Sequence, residues 1–358
     1  MLIYIFVAIL TILLLHFSKR MNNLKTKKML IIISFSILFI VSGFRYCVGT
    51  DFDNYASWFF QINTLKDIHI SSFGFDVLIL LIKLFTNNSQ WLFIITSFII
   101  LLLIYKAILN EKDDYDLILY LFITLIFYCS SFNGIRQWIA IAILMNSLKF
   151  IREKNFYKYL ICVLAASLFH ITALNTIILY FLLNLKYKDT IKVILFVLAF
   201  LILKITNITE IFILIVKHIL PSYYAKYTIT GYDIYAIRGG ILPILLCGGM
   251  FVFYLLFKKK LLSKQLIEEE KLEFKINFAF ILSIMSVVNT VNELFCRIAL
   301  FYIPFVIFLI PDVLKIFNDK WRKIFKVLII ILTLIFMIIN ISHNNPHDAL
   351  PYTFYFFR

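Results

Sequence analysis

Four short polar segments interrupt an otherwise apolar sequence, and they hold the residues whose types and spacing could do chemistry. The first runs Gly43-Phe44-Arg45-Tyr46-Cys47-Val48-Gly49-Thr50-Asp51-Phe52-Asp53-Asn54-Tyr55. The second is Ser130-Ser131-Phe132-Asn133-Gly134-Ile135-Arg136-Gln137-Trp138, in which Asn-Gly marks a tight turn. The third is Ala166-Ser167-Leu168-Phe169-His170-Ile171-Thr172-Ala173-Leu174, and the fourth is Asn292-Glu293-Leu294-Phe295-Cys296-Arg297-Ile298. His170 could exchange a proton near neutral pH, and Asp51 could act as a base. Arginine's planar fork suits two-point binding of phosphate or carboxylate, which makes Arg45, Arg136, Arg238 and Arg297 candidate anion binders. Plainer readings stand beside these. His170 could be a neutral histidine bonded between helices, the arginines could snorkel or pair with Asp51 and Glu293, and Asp51 and Asp53 could cap a helix starting near Asp53.

The elements that must position these residues are membrane helices. Of the 358 residues, 62% are hydrophobic and 15% charged, against about 45–50% and about 25% in soluble domains. Mean hydropathy is +0.94. Lipid accepts such a surface because helices satisfy their own backbone hydrogen bonds. The composition excludes a soluble enzyme, a disordered chain, a coiled coil and a secreted disulfide scaffold. The expected fold class is all-α, a polytopic membrane protein forming one helical domain over 1–358. Apolar runs predict about 12 transmembrane helices, at 1–17, 29–43, 90–109, 117–132, 135–151, 158–169, 171–185, 191–205, 239–257, 276–291, 298–311 and 327–341. The hairpin 158–185 is short for two crossings and could instead be one broken helix. Segments 73–85 and 208–220 are expected to lie at the interface or re-enter, within main external loops 44–89 and 206–238. The run 1–17 lacks a basic start and a small-residue cleavage site, so it is expected to be the first span.

Charge orients the helices. One set of alternate loops (18–28, 106–116, 149–158, 186–192, 258–275 and 312–326) holds 25 of the 35 Lys and Arg. By the positive-inside rule these loops are cytoplasmic and both termini extracytoplasmic. The net charge of +15 is thereby explained without nucleic acid. Lysine and arginine segregate differently: 22 of 27 Lys are on the cytoplasmic side, but only Arg20, Arg152 and Arg322 of eight Arg. Arg45, Arg136, Arg238, Arg297 and Arg358 are external, and an unfavoured placement of a cation asks for a reason.

Other features point away from metals and cofactors, and none is expected. The five cysteines form no CxxC pair. His343 and His347 have i, i+4 spacing, but the proline between them spoils a helical metal face. Glu268-Glu269-Glu270 is expected on a solvated cytoplasmic helix, and there is no Gly-rich phosphate loop, no HExxH and no cytoplasmic Asp-x-Asp.

The external motifs resemble those of the EpsG family. Phe44-Arg45 through Val48-Gly49-Thr50-Asp51-Phe52-Asp53-Asn54-Tyr55 is similar to its "R..VGTDY..Y" stretch. Phe132-Asn133-Gly134-Ile135-Arg136-Gln137-Trp138-Ile139-Ala140 is similar to "FN.IRQ.IA", and the segment 166–174 to "AS.FH.SAL". The Arg297 segment and the tail Leu350-Pro351-Tyr352-Thr353-Phe354-Tyr355-Phe356 also look similar. Two departures are Phe52 for the usual Tyr and Thr172 for Ser. The resemblance implies exopolysaccharide or capsule synthesis by a Wzy-like membrane glycosyltransferase. It would join undecaprenyl-diphosphate-linked oligosaccharide repeat units on the outer face of the bacterial cytoplasmic (inner) membrane. Membrane lipids and other polysaccharide-synthesis proteins would be its partners, without nucleic acid.

That chemistry suits the residues. An acceptor hydroxyl displaces a lipid diphosphate from an anomeric carbon, and guanidinium groups can stabilise the departing charge. Arg136 and Arg297, with Arg45 and Arg238, are the candidate diphosphate binders. His170 or Asp51 would take the proton, and no metal is required in principle. Asp53, Tyr55, Gln137 and Glu293 are candidate supporting or sugar-binding residues. The external aromatics Tyr46, Tyr55, Trp58, Tyr223 and Tyr224 could stack on sugars or belong to an interfacial belt. A flippase for the same lipid-linked glycan, a glycan ligase of similar chemistry and a non-catalytic complex component are the competing readings.

Overall fold

The computed structural model of the protein describes residues 1–111, 114–205, 240–291 and 293–357. Among them no strand forms, and the β-type pairing is a single bridge between Arg45 and Phe354. The loop 206–238, with segment 208–220, Tyr223 and Tyr224, lies outside the described residues, as do Arg238 and Arg358. Five helical stretches are long and apolar enough to cross a membrane by length and composition: Leu2–Arg20, Gln90–Leu109, Leu242–Ser263, Glu293–Ile316 and Asp319–Asn344. The other predicted spans also coincide with helix but are shorter, broken or polar at one end. The run 117–132 shows why. It is α6 (Tyr115–Thr124) and a four-residue turn α7 (Phe127–Ser130), separated at Ile126, whose φ of 70° takes the chain out of the right-handed helix. The chain folds into two compact units, residues 1–177 with 317–358, and residues 178–316.

In the first unit, α1 (Leu2–Arg20) and α2 (Leu24–Gly43) form a hairpin, with the Asn23 side chain accepting the Lys25 N–H at 2.8 Å to start α2. Next come α3 (Phe52–Gln61), α4 (Phe73–Lys83), α5 (Gln90–Leu109), α8 (Ile135–Arg152) and α9 (Phe156–Ser167). Helix α2 packs on α5, α5 on α8 and α8 on α9, while α6 packs on α1 and on the late helix α15 (Asp319–Ile339). Several buried hydroxyls within this apolar stack find partners: Ser34 with Tyr105 at 2.7 Å, Ser18 with Tyr115 at 2.8 Å, and Tyr128 with the Leu38 carbonyl at 2.7 Å, whereas Thr11 Oγ1 has none. A hydroxyl left unpaired in hydrocarbon would be costly.

Polar contacts sort by end. At one end Asp116, fully buried, binds Lys19 and Lys326 at 2.8 Å each and His16 at 3.4 Å. Arg152 reaches Glu111 at 3.3 Å. These are loops that the lysine count assigns to one side. At the other end the tail runs along the loop after α2: the Tyr46 N–H donates to Thr353 O at 2.9 Å, Tyr355 N–H to Phe44 O at 2.8 Å, and Gly49 N–H to Asp348 O at 3.0 Å. The Tyr4 hydroxyl, near the start of α1, donates to Ala349 O at 2.8 Å.

The second unit holds α10 (Ile177–Asn184), α11 (Asp189–Ile205), α12 (Leu242–Ser263), α13 (Glu269–Val288) and α14 (Glu293–Ala299), then two 3-10 stretches, Ile303–Phe308 and Ile310–Ile316. Helix α13 packs on α11 and α12. Buried Asp312 ties these elements, meeting Lys275 at 2.6 Å, Lys315 at 2.7 Å and the Tyr254 hydroxyl at 2.5 Å.

Candidate functional site

The first unit carries most of the residues that the sequence singles out, and they converge where the tail meets the loop after α2. The turn 130–134 ends at Gly134, whose φ of +52° caps α8 from the left-handed region. Its N–H donates to Asp51 Oδ2 at 3.0 Å. Asn133 accepts from the Asp51 N–H at 3.4 Å, and its amide donates to His347 O and His347 Nδ1 at 3.3 Å each. Gly49 sits against the same amide with a φ of +107°, and a Cβ there would lie 2.7 Å from Asn133 Oδ1. The Gly-Thr-Asp, Asn-Gly and tail motifs are thus one bonded junction. Asp51 stands at the N-cap of α3, bonding it through its backbone carbonyl and not its side chain, because its carboxylate is committed to Gly134. Asp53 lies exposed in the first turn of α3, where an acid complements the helix dipole.

This junction presents Arg136 in the first turn of α8. Its guanidinium carbon lies 4.2 Å from the centre of the Trp58 ring, within cation–π range. The Tyr55 hydroxyl takes hydrogen bonds from the Arg136 guanidinium and backbone N–H. Burial pushes the Tyr55 phenol above its ordinary value despite the neighbouring cation, so it stays neutral. Arg136 Nε is buried without a hydrogen-bond partner, and no described carboxylate lies within ion-pairing distance. The positive end of the α8 dipole adds to the guanidinium. Phe52 anchors α3 by stacking on Phe93 at 4.1 Å, so the ring in this position works by packing and a tyrosine hydroxyl is not needed there.

Trp58 is itself held from below. Its Nε1–H donates to Asp76 Oδ1 at 3.0 Å. Asp76 Oδ2 accepts from the His69 N–H at 2.8 Å, from Ser72 Oγ at 3.1 Å, and lies 3.0 Å from His69 Nδ1. Helix α4 also bonds the third motif, since the Gly74 N–H donates to Leu168 O at 2.7 Å. Two residues on, His170 Nδ1 lies 2.6 Å from Thr172 Oγ1. The hydroxyl shared by Ser and Thr is therefore what this position uses.

The other arginines have different surroundings. Arg45 is buried, and its donors go to Val48 O at 3.2 Å, Ser97 Oγ at 3.2 Å, Phe132 O at 3.1 Å and Ser42 O, between the Phe93 and Phe132 rings. That corrects the expectation of a diphosphate binder: Arg45 cross-links loops and has no face to offer a ligand. Arg297, in the second unit, pairs with Glu293 at 2.9 Å, one helical turn away, which is the plainer reading of both. Tyr55 and Gln137 are buried, so Tyr55 positions Arg136 and is not open to stack on a sugar. Three participants escape the sequence reading. His347 enters it only as a rejected metal ligand, and His69 and Asp76 do not enter it. The signal for Asp76 is a lone carboxylate in the apolar run Gly74-Phe75-Asp76-Val77-Leu78.

Fold and site together define an all-helical membrane protein that displays an arginine backed by an aromatic ring at the end of one of its helical units. The chain belongs to the EpsG family, whose profile it matches over residues 28–354, and is therefore a membrane protein of polysaccharide synthesis. No curated protein and no solved structure gives a match.

Proposed function

We propose that the protein is a glycan polymerase that joins undecaprenyl-diphosphate-linked repeat units on the outer face of the bacterial cytoplasmic membrane. In this reading the helices make twelve crossings and both termini lie outside. The observation that carries the proposal is Arg136: a guanidinium backed by Trp58, with a buried and unpartnered Nε, at the N-terminus of α8. A diphosphate is the ligand such a group fits. An acceptor hydroxyl attacks the anomeric carbon, the bond from that carbon to the diphosphate oxygen breaks, and the diphosphate leaves with the electron pair. The hydroxyl proton passes to a base on the same face of the protein, for which His170 and Asp51 are the residues the sequence puts forward. One displacement of this kind inverts the anomeric configuration and needs no metal. Arg297, paired with Glu293 in the second unit, and Arg238 are further candidate diphosphate binders. Asp53 would contact sugar, and Tyr55 and Gln137 would support the site.

The test is a glycan ladder. Cells lacking the protein are complemented with wild type or Arg136→Ala at equal membrane levels, and lipid-linked and surface glycans are sized. Single units accumulating outside, with a ladder restored by wild type alone, is the expected result. Units stranded on the inner leaflet would indicate a flippase. A full ladder with Arg136→Ala would remove the site.

A further inference from the structure

Asp76 is a carboxylate with no exposure at all, and it is turned toward an imidazole that is largely exposed. The His69 side chain is 59% accessible, with Nδ1 3.0 Å from Asp76 Oδ2. A carboxylate only accepts hydrogen bonds, so it fixes the proton of a neutral His69 on Nδ1 and leaves the Nε2 lone pair facing outward. The Ser72 hydroxyl, the His69 N–H and the Trp58 indole N–H hold the same carboxylate in place. This is the arrangement that makes a histidine a directed base: one nitrogen held, the other presented.

The dyad shares its support with the anion-binding group. Trp58 lies with its ring centre 5.9 Å from that of His69, edge to face, and 4.2 Å from the guanidinium carbon of Arg136. The guanidinium and the imidazole are therefore no more than about 10 Å apart, a distance that one sugar ring and its diphosphate can bridge. Neither alternative base has this geometry. Asp51 is engaged by Gly134, and His170 Nδ1 lies against the Thr172 hydroxyl, not a carboxylate.

We propose that His69, oriented by Asp76, is the base that takes the proton from the attacking acceptor hydroxyl. The inference rests on the polymerase reading. The hydroxyl oxygen forms the new bond to the anomeric carbon, its proton moves to His69 Nε2, and the lipid diphosphate departs with the electrons of the broken bond. The charged and titratable groups facing the imidazole are Asp76 beneath it and, across Trp58, Arg136 with Tyr55. Asp67, two residues away, is engaged by the Asn63 and Thr64 N–H groups at 2.9 and 2.7 Å.

The experiment uses the full-length protein in liposomes with undecaprenyl-diphosphate-linked repeat units purified from producing cells, and reads initial rate from pH 5 to 9. Wild type should show a rate that rises with pH, as a general base requires. His69→Gln, checked for equal folded protein by detergent-phase thermal unfolding, should abolish that rise and lower the rate about 10²–10⁴-fold. Asp76→Asn should lower the rate with His69 still in place, because the imidazole loses the carboxylate that orients it. A residue with a merely structural role would scale the rate equally at every pH. A His69→Gln protein with the wild-type rate and pH profile would overturn the inference while leaving the polymerase intact. A wild type that forms no polymer would overturn the polymerase reading itself.

Discussion

Protonating His347 should loosen the junction that presents Arg136. His347 Nδ1 accepts from the Asn133 amide at 3.3 Å, and a protonated imidazole has no lone pair to do so. Burial lowers its pKa from 6.5 to about 4, although Asp348 and Asp51 pull the other way. The sign follows from proton counting. Between about 4 and 6.5 the unfolded chain holds more protons at this residue than the folded one, so stability rises with pH in that window. The contribution is complete above 6.5 and is lost as pH falls through about 4. A shift of this size corresponds to about 3 kcal/mol, of which about 2 disappears between pH 6.5 and 5. His347→Asn keeps an acceptor near the Nδ1 position and cannot titrate. The assay is hydrogen exchange of segments 44–55, 130–136 and 345–355 in detergent at pH 7.5, 6.5, 5.5 and 5. Wild type should lose protection in all three segments together as pH falls, and His347→Asn should change much less. Equal pH dependence in the two proteins would refute the reasoning, because the other histidines and carboxylates are common to both.

Three further outcomes separate scaffold from site. Gly49→Ala places a Cβ 2.7 Å from Asn133 Oδ1 at a φ of +107°, and should cost about 2 kcal/mol in a denaturation assay, with loss of polymer as the junction opens. Arg45→Ala strands the buried carbonyls of Ser42, Val48 and Phe132 and should cost about 3 kcal/mol, seen as reduced folded protein in the membrane. Arg136→Lys keeps the charge but loses the fork and its stacking on Trp58, and should lower polymer formation about 100-fold at unchanged protein level.

The helices were legible because lipid permits few backbone arrangements. A run of apolar residues in this composition must be helical, and the run 90–109 coincides with α5 to the residue. Breaks within runs were not legible. Nothing in Ile123-Thr124-Leu125-Ile126-Phe127 announces a left-handed residue, and no glycine marks it; packing imposes Ile126's conformation. The junction was half visible. Gly49, Asp51, Asn133 and Gly134 stood out as turn and charge signals, but their mutual bonds join residues more than 80 positions apart, and no local pattern encodes such pairing. His347 was hidden for the same reason: spacing tests for metal sites ask about neighbours in sequence, whereas its partner Asn133 is 214 residues away.

Arg45 and Arg136 show how the same side chain at the same kind of position divides into two roles. Both follow or begin a helix on the side where lysine is scarce, and the sequence puts both forward for a phosphate, Arg136 first and Arg45 in support. The difference lies in which acceptors reach them. Arg45 sits where α2 ends, among carbonyls that the helix terminus leaves unpaired, Ser42 O among them. A cation with five donors is the efficient partner for such a cluster, so burial and saturation follow. Arg136 sits where α8 begins, and a helix start exposes N–H groups, not carbonyls. The Gly134 N–H is taken by Asp51, and the guanidinium finds the Trp58 face and the Tyr55 hydroxyl behind it, with its Nε unpartnered. An arginine at a helix C-terminus is thus readily absorbed into the scaffold, while one at an N-terminus meets few carbonyls and keeps donors for another acceptor, even where, as here, Asp51 engages the helix end itself. Position relative to helix polarity, which the sequence does contain, gives a physical reason for ranking Arg136 above Arg45.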